Sequence, residues 1–378
     1  MSKVIYFTNA VNPEMFVSYL KEWKVSPNLS NQNFHSKLIK AISLYSEVEV
    51  VSIRPINKNF SKSSLPQLET KDKNITWKYP KVTTNKVGKF LLLNNRINKV
   101  LSVDKNKNII LVDVLNLSLL KEAHKLAKKK GYKIFGVCTD NPYNISFVKK
   151  SYTTKLLNLA QQLDSYISLT EGINELFNVN NKPFIIIDGV NEDIKNIKES
   201  KIKGNYIYFG GSLMKEYGLY DLIDAFNELN LKDYKLVVCG HHLMPSLLNK
   251  IKDNQNILYL GAVDYEENLS LEKWAIVTVN PRPINPKIDQ YSIPSKTLEC
   301  LSVGALNITV DNEILKKNYQ NCIIWAKSSS KEDLKDAIKK AIGLSKQERD
   351  KYTKLAKEKV MARTSLEVIG KIIHDLII

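Results

Sequence analysis

Short apolar runs alternate along this chain with segments whose apolar positions recur at helical spacing, the pattern of repeated strand-helix units that build parallel sheets. In the first half the runs are Val4–Thr8, Val48–Ile53, Ile109–Val114, Lys133–Val137, Ser165–Leu169 and Phe184–Asp188. Helices are predicted between them at Asn33–Tyr45, Ser118–Lys130 and Ser151–Gln162. In the second of these, Leu119, Leu120, Ala123, Leu126 and Ala127 make one apolar stripe. The polar segment Lys58–Tyr79 reads as an irregular excursion, and the charge-dense Asn191–Lys203 as a linker, after which the pattern restarts. Strands follow at Tyr206–Phe209, Lys235–Cys239, Ile257–Leu260, Ala275–Asn280, Ala305–Val310 and Cys322–Trp325, with helices at Tyr217–Asn230, Pro245–Lys252, Pro294–Ser302 and Lys331–Leu344. The class is α/β, with two doubly wound, Rossmann-like domains over 1–193 and 204–355. A C-terminal helix over 356–378 is expected to pack back toward the first. Ligands in such sheets bind beyond the carboxyl ends of the strands, so a cleft between the two domains is the expected site.

Composition narrows this picture. The 378 residues are 43% hydrophobic with only 14 Gly and 12 Pro, which excludes collagen-like and largely disordered chains. No run of apolar residues is long enough to cross a membrane, and the opening Met1–Phe7 is too short and too soon polar for a signal peptide, so a cytoplasmic protein is predicted. Cys138, Cys239, Cys300 and Cys322 lie far apart, without metal-ligand spacing, and read as reduced core residues. The net charge of +17 favours anionic partners, although a coding bias toward Lys, Asn and Ile accounts for the same excess. Basic helices such as Lys121–Lys133 suit either a solvated face or contact with an anionic membrane surface. No recognisable RNA- or DNA-reading module accompanies the charge, so nucleic acid is not the predicted partner.

The most informative stretch runs from Asn280 to Gly304. A buried strand ends at Asn280, a Pro-rich loop follows, and Ser292 or Ser295 can cap a helix beginning near Pro294. A helix start offers free N–H groups and partial positive charge, to which Lys296 adds a full charge, so a diphosphate would be held there. Glu299, one turn later on the same side, could accept two ribose hydroxyls; an exposed Lys296–Glu299 ion pair is the plainer alternative. Tyr291 lies eight positions before Glu299. No Asp-x-Asp motif is present to hold a divalent ion near phosphate.

Ile293-Pro-Ser-Lys-Thr-Leu-Glu-Cys-Leu-Ser-Val-Gly304 resembles the donor-binding segment of retaining GT-B-fold glycosyltransferases of family 4 and their near relatives. Phe209-Gly-Gly-Ser-Leu-Met-Lys-Glu-Tyr-Gly-Leu-Tyr-Asp-Leu-Ile-Asp-Ala-Phe226 is similar to the strand-loop-helix that opens their second lobe, and Val237–Gly240 and Asn256–Val263 to the turns that follow. The resemblance implies a metal-independent enzyme without cofactor. It would move a hexose or N-acetylhexosamine, with retention, from a nucleotide diphosphate sugar, most simply a UDP-sugar. The acceptor would be a glycan, a polyprenyl-linked oligosaccharide of capsule or exopolysaccharide assembly, or a glycoprotein, and work at the inner face of the membrane or as a homo-oligomer would suit such a role. Donor contacts are then expected from Gly210, Gly211, Ser212, Lys215, Gly240, Val263, Arg282, Tyr291, Ser292, Ser295, Lys296 and Glu299. Lys296 and Asp140 are the expected catalytic residues, and Asp140 and His35 the acceptor contacts; His241 and His242, at a strand's carboxyl end, are weaker candidates. The chain departs from the family pattern at Tyr291, where many members carry an acid, and at Ser212 and Tyr217, where many carry Arg and Lys. A sugar-nucleotide epimerase, a non-catalytic partner subunit and a basic nucleic-acid binder are the rival readings.

Overall fold

The computed structural model describes residues 3–22, 28–56, 60–85, 93–101, 109–144, 149–241 and 243–378. They form two compact units. The first comprises residues 1–190 with Gln290–Ser292 and Thr364–Ile378; the second comprises Asn191–Asp289 and Ile293–Arg363.

The first unit is built on an eight-stranded sheet. Its strands are β1 (Lys3–Thr8), β2 (Glu47–Ser52), β4 (Leu68–Asp72), β5 (Ile75–Tyr79), β7 (Ile109–Asp113), β8 (Lys133–Cys138), β9 (Ser165–Ser168) and β10 (Phe184–Ile186). Their order is β10-β9-β8-β7-β1-β2-β5-β4, parallel throughout except for β4 against β5, while β3 (Ser64–Leu65) and β6 (Val82–Thr83) pair separately. The excursion expected over Lys58–Tyr79 is therefore corrected where described: it adds two strands to the main sheet. Ile75, Trp77 and Tyr79 alternate along β5 and are buried, and Lys78 between them is buried beside Glu49 at 3.3 Å, so the polar residues that hid the strand are ones it pairs or exposes.

Helices α1 (Pro13–Glu22), α2 (Leu29–Ser43), α3 (Leu93–Val100), α4 (Leu117–Lys130), α5 (Lys150–Ala160) and α6 (Glu171–Phe177) complete the sheet connections. Asn116 caps α4 by accepting from Ser118 and Leu119, Gly131 ends it at φ 68°, and Lys128, Lys129 and Lys130 occupy its last turn. There they complement the negative end of the helix dipole, which gives the basic run a local reason to exist.

In the second unit β11 (Asn205–Ser212), β12 (Tyr234–His241), β13 (Ile257–Gly261), β14 (Val277–Asn280), β15 (Asn307–Val310) and β16 (Ile324–Ala326) form one parallel sheet in the order β13-β12-β11-β14-β15-β16. Its helices are α7 (Leu219–Leu229), α8 (Pro245–Lys252), α9 (Tyr265–Trp274), the short α10 (Pro286–Asp289), α11 (Ser295–Ser302), α12 (Glu313–Tyr319), α13 (Lys331–Ile342) and α14 (Lys346–Thr364). The chain reverses its direction of travel across the sheet between β11 and β14, which is the switch point where doubly wound sheets open a crevice for ligands. Asn191–Lys203 is not a free linker: Ile194 and Ile197 pack on Leu269, Cys300, Val303 and Ala305 of this unit.

The C-terminal region is two helices rather than one. Ser365 breaks the run by capping α15 (Leu366–Ile377), its hydroxyl accepting from Val368 N–H. Leu366, Ile369, Ile373 and Ile377 join the core of the first unit, where α15 lies against α2. The approach is close because Gly370 lacks a side chain: a β-carbon there would stand 2.3 Å from the Ala41 carbonyl oxygen and 2.9 Å from the Tyr45 ring. Gly370→Val is therefore expected to lower stability by about 1–3 kcal/mol through overpacking, read as the shift of the denaturant midpoint. An unchanged midpoint would contradict the contact.

Candidate donor site

The site at the β11/β14 switch point begins with a backbone approach. Gly210, Gly211 and Ser212 at the end of β11 pair in register with Cys239, Gly240 and His241 of β12. Gly240 has φ 150°, and a β-carbon on it would fall 1.7 Å from the Gly211 carbonyl oxygen, so glycine is a packing requirement here. At Gly211 a β-carbon would meet only the Phe209 ring at 3.5 Å and Lys296 Cδ at 3.9 Å. The side-chain position of Gly211 is thus lined at ordinary contact distance, with the Lys296 stem alongside. The Ser212 hydroxyl is buried and has no hydrogen-bond partner among the described residues. A buried hydroxyl left unpaired costs free energy that an incoming acceptor would recover.

Lys296 stands exposed in the first turn of α11. Neither Ser292 nor Ser295 caps this helix, contrary to the sequence expectation: Pro294 holds the N-cap position with no side-chain bond, and the first turn carries no acid. The leading amides and Lys296 are consequently an uncompensated positive end. Helix α11 is fastened beneath by a buried polar chain. Asn280 donates to Thr297 Oγ1 at 3.0 Å, Thr297 lies 3.1 Å from Thr309 Oγ1, Thr309 bonds Asn307, and Asn307 donates to Thr278 Oγ1 at 2.8 Å. These residues tie α11 to β14 and β15 and so set the position of Lys296.

Glu299 follows Lys296 one turn along and is half-buried. The Tyr265 hydroxyl of α9 hydrogen-bonds to it, and burial, reinforced by the charges of Glu299, Glu192 and Glu272, pushes the Tyr265 hydroxyl well above the usual range. Glu272, also on α9, is buried, and burial beside Glu299 pushes its carboxyl up to about 8 despite the opposing effect of Lys296. Val263 packs at the edge of the apolar cluster formed by Tyr206, Tyr208, Val237, Cys239 and Leu271.

Other expected residues are placed differently. Arg282 is not a spare cation: its guanidinium pairs with Asp289 at 3.3 Å, and Asp289 also accepts from Asn285 N–H at 2.7 Å. Arg282 and Asp289 line a small hollow with Asn280, Pro294, Thr309 and Asp311. Lys215 sits on the exposed turn Lys215–Tyr217. Tyr291 and Ser292 belong to the first unit, where Tyr291 packs against that unit's core and the neighbouring Gln290 carbonyl accepts from Thr170 at 2.8 Å. His241 is exposed, and His242 lies outside the described residues.

In the first unit the expectation for His35 is corrected. Asn28, accepting from Asn31 N–H at 3.0 Å, starts α2 at Leu29, so His35 falls in the second turn, on the buried face with Gln32, Leu38, Ile39 and Ile42. It is fully buried, bonded to the Tyr6 hydroxyl at 2.7 Å and 3.4 Å from Asp113 at the end of β7. Burial pushes the Asp113 carboxyl up, but His35 and hydrogen bonds from Leu115 and Asn31 outweigh it and hold the group below its ordinary value. A histidine so enclosed shapes the unit and does not meet an acceptor directly. Asp140 is exposed after β8, where its carboxylate accepts from Asn141 N–H at 2.7 Å.

All four cysteines are buried and free. Among the described residues no group of three or more His, Cys, Asp or Glu comes together to hold a metal ion, and no helix is long and apolar enough to cross a membrane.

Residues 190–359, which contain the site just described, match the sequence model of the family Glycosyl transferases group 1. No curated protein sequence matches the chain. Solved structures do. Sucrose-phosphate synthase from Thermosynechococcus elongatus matches with TM-score 0.68 and 10% identity over 99% of this chain and 98% of that one. An E. coli trehalose-6-phosphate structure bound with UDP-2-fluoro glucose matches with TM-score 0.69 and 11% identity over 99% of each chain. The UDP-forming alpha,alpha-trehalose-phosphate synthase from Burkholderia vietnamiensis matches with TM-score 0.66 and 10% identity over 100% of this chain and 98% of that one. The fold is thus the two-unit α/β fold of the GT-B class. With a group 1 domain over its second unit, the protein is a glycosyltransferase.

Proposed function

We propose that the protein transfers a hexose or N-acetylhexosamine from a UDP-sugar to a glycan-type acceptor, with retention of anomeric configuration and without a metal or cofactor. The observation that carries this reading is the convergence of an uncapped helix start, Lys296, the side-chain-free Gly211 beside the Lys296 stem and the unpaired Ser212 hydroxyl at one switch point. Such a corner suits a diphosphate. As the sugar-phosphate bond breaks, negative charge grows on the departing diphosphate, and preorganised cations and amides lower the barrier by meeting that charge. Lys296 is the principal cation in this reading, Glu299 the acceptor of the ribose hydroxyls, and Gly210, Gly211, Gly240 and Ser295 the backbone frame. The UDP-2-fluoro glucose bound in the E. coli neighbour, and the UDP-forming reaction named for the Burkholderia one, support UDP as the nucleotide.

On the acceptor side Asp140 is the residue we assign, since it is exposed after β8. A polyprenyl-linked oligosaccharide is the acceptor put first and a glycoprotein the second; either would place the work at the inner face of the membrane or in the cytoplasm. A panel of nucleotide sugars tests the reading through slow donor hydrolysis and thermal stabilisation. UDP-sugars are expected to raise the melting temperature and to be hydrolysed slowly, and a transferred sugar should keep its anomeric configuration by NMR. No stabilisation by any nucleotide sugar, or sugar interconversion with no acceptor present, would overturn it.

A further inference from the structure

Glu272 is a buried acid that the reading above does not use. It is 1% exposed on α9, and one of its carboxyl oxygens accepts from Asn268 Nδ2 at 2.9 Å. Asn268 in turn accepts from the Tyr208 hydroxyl of β11 at 2.8 Å, so the amide is locked with its N–H side toward Glu272. The other carboxyl oxygen, Oε2, is buried without an N–H or O–H partner among the described residues, the only donor toward the carboxyl besides Asn268 being the weak thiol of Cys300. An ionised carboxylate enclosed in this way, with one oxygen unsolvated, is costly, whereas the neutral acid is tolerated.

The groups around Glu272 come from four elements. Helix α11 presents Glu299, Lys296 and the Cys300 thiol; β11 presents Tyr208, with Cys239 of β12 behind it; and α9 itself adds Tyr265. Neighbouring Lys273 is directed elsewhere, donating to the Gly304 carbonyl at 3.2 Å. Of all these only Lys296 carries positive charge, and it is the cation that the donor diphosphate would engage.

The geometry points to Glu272 as a positioning residue of the donor corner: its carboxyl must keep a proton for Lys296 and Glu299 to hold a diphosphate nucleotide, and its ionisation loosens that hold. The inference rests on the donor reading given above. An ionised Glu272 would compete with the diphosphate for Lys296 and would set a second negative charge against Glu299. A bound diphosphate, conversely, would draw Lys296 away and favour the proton on Glu272, so nucleotide binding and proton retention are linked.

Calorimetric titration of the full chain with UDP, from about pH 6.5 to about pH 9, tests this. With the carboxyl pushed up to about 8 by burial and by Glu299, wild-type affinity is expected to fall about tenfold one unit above that value, while Glu272→Gln, always neutral, stays flat. The terminal phosphate ionises near about pH 6, so it is fully charged through the upper range. A second arm needs only the wild type: near about pH 8 UDP binding should take up part of a proton, read from enthalpies in buffers of different ionisation heat. A third reads stability. A folded chain that keeps a proton the unfolded chain has already released, from about 4.5 upward, loses stability as pH rises to about 8, and the Gln variant removes that slope. UDP binding with a flat wild-type profile and no proton uptake overturns the inference and leaves the donor reading standing. Absence of UDP binding at every pH overturns the donor reading and the inference with it.

Discussion

Lys296→Ala is expected to weaken UDP binding by about tenfold to a hundredfold, the worth of roughly 1.5–3 kcal/mol for a hydrogen bond to a charged group. The size follows from what surrounds the side chain. Lys296 is exposed, so its removal leaves no buried charge behind and should not disturb folding. It stands on a helix with no capping side chain and no first-turn acid, so no neighbouring protein group in that turn replaces its charge. Arg282, which could otherwise substitute, is occupied by Asp289. The same substitution should lower the rate of donor hydrolysis further than it lowers affinity, because charge on the leaving diphosphate increases in the transition state. Titration calorimetry and hydrolysis assays on one preparation separate the two effects. Equal UDP affinity in the variant and the wild type would remove Lys296 from the site.

Gly240→Ala should destabilise the protein by at least about 3 kcal/mol, since the new side chain adds about 1–2 kcal/mol of backbone strain to a severe overlap. The overlap is with backbone: the β-carbon would lie 1.7 Å from the Gly211 carbonyl oxygen and 3.1 Å from Leu213, so the end of β11 must shift. UDP binding is expected to fall with stability, because Gly211 and Ser212 are the atoms displaced. Gly211→Ala supplies the contrast. Its β-carbon would make only ordinary contacts, so stability should stay within about 0.5 kcal/mol while the space a phosphate needs is partly filled. Urea unfolding of both variants reads the difference, and a Gly240→Ala protein as stable as the wild type would contradict the packing described.

Much of this was legible because buried parallel strands read as apolar runs: β7 and β12 sit where Ile109–Val114 and Lys235–Cys239 announce them. The strand β5 escaped notice because Lys78, buried but paired with Glu49, interrupts the run. His35 was misplaced by four residues of helix. Its burial follows from the cap at Asn28, and the spacing Gln32, His35, Leu38, Ile42 carries the sign of it. The helix start that carries Lys296 and Glu299 was readable from a proline and the apolar spacing after it. Tyr265, Asn268 and Glu272 were not, because their roles arise only when α9 is laid beside α11, and no local pattern encodes that contact. The chain Asn280–Thr297–Thr309–Asn307 was hidden for the same reason: each residue alone is an ordinary polar residue, and only packing makes them partners.

The central claim is that the start of α11 and the end of β11 together receive a nucleotide diphosphate. A crystal structure of the protein soaked with UDP tests it most directly. The account predicts diphosphate density beside Gly211 and Ser212, with Lys296 Nζ and the leading α11 amides within hydrogen-bond distance and the ribose hydroxyls on Glu299. Well-defined UDP bound elsewhere, with Lys296 left in solvent, would contradict it.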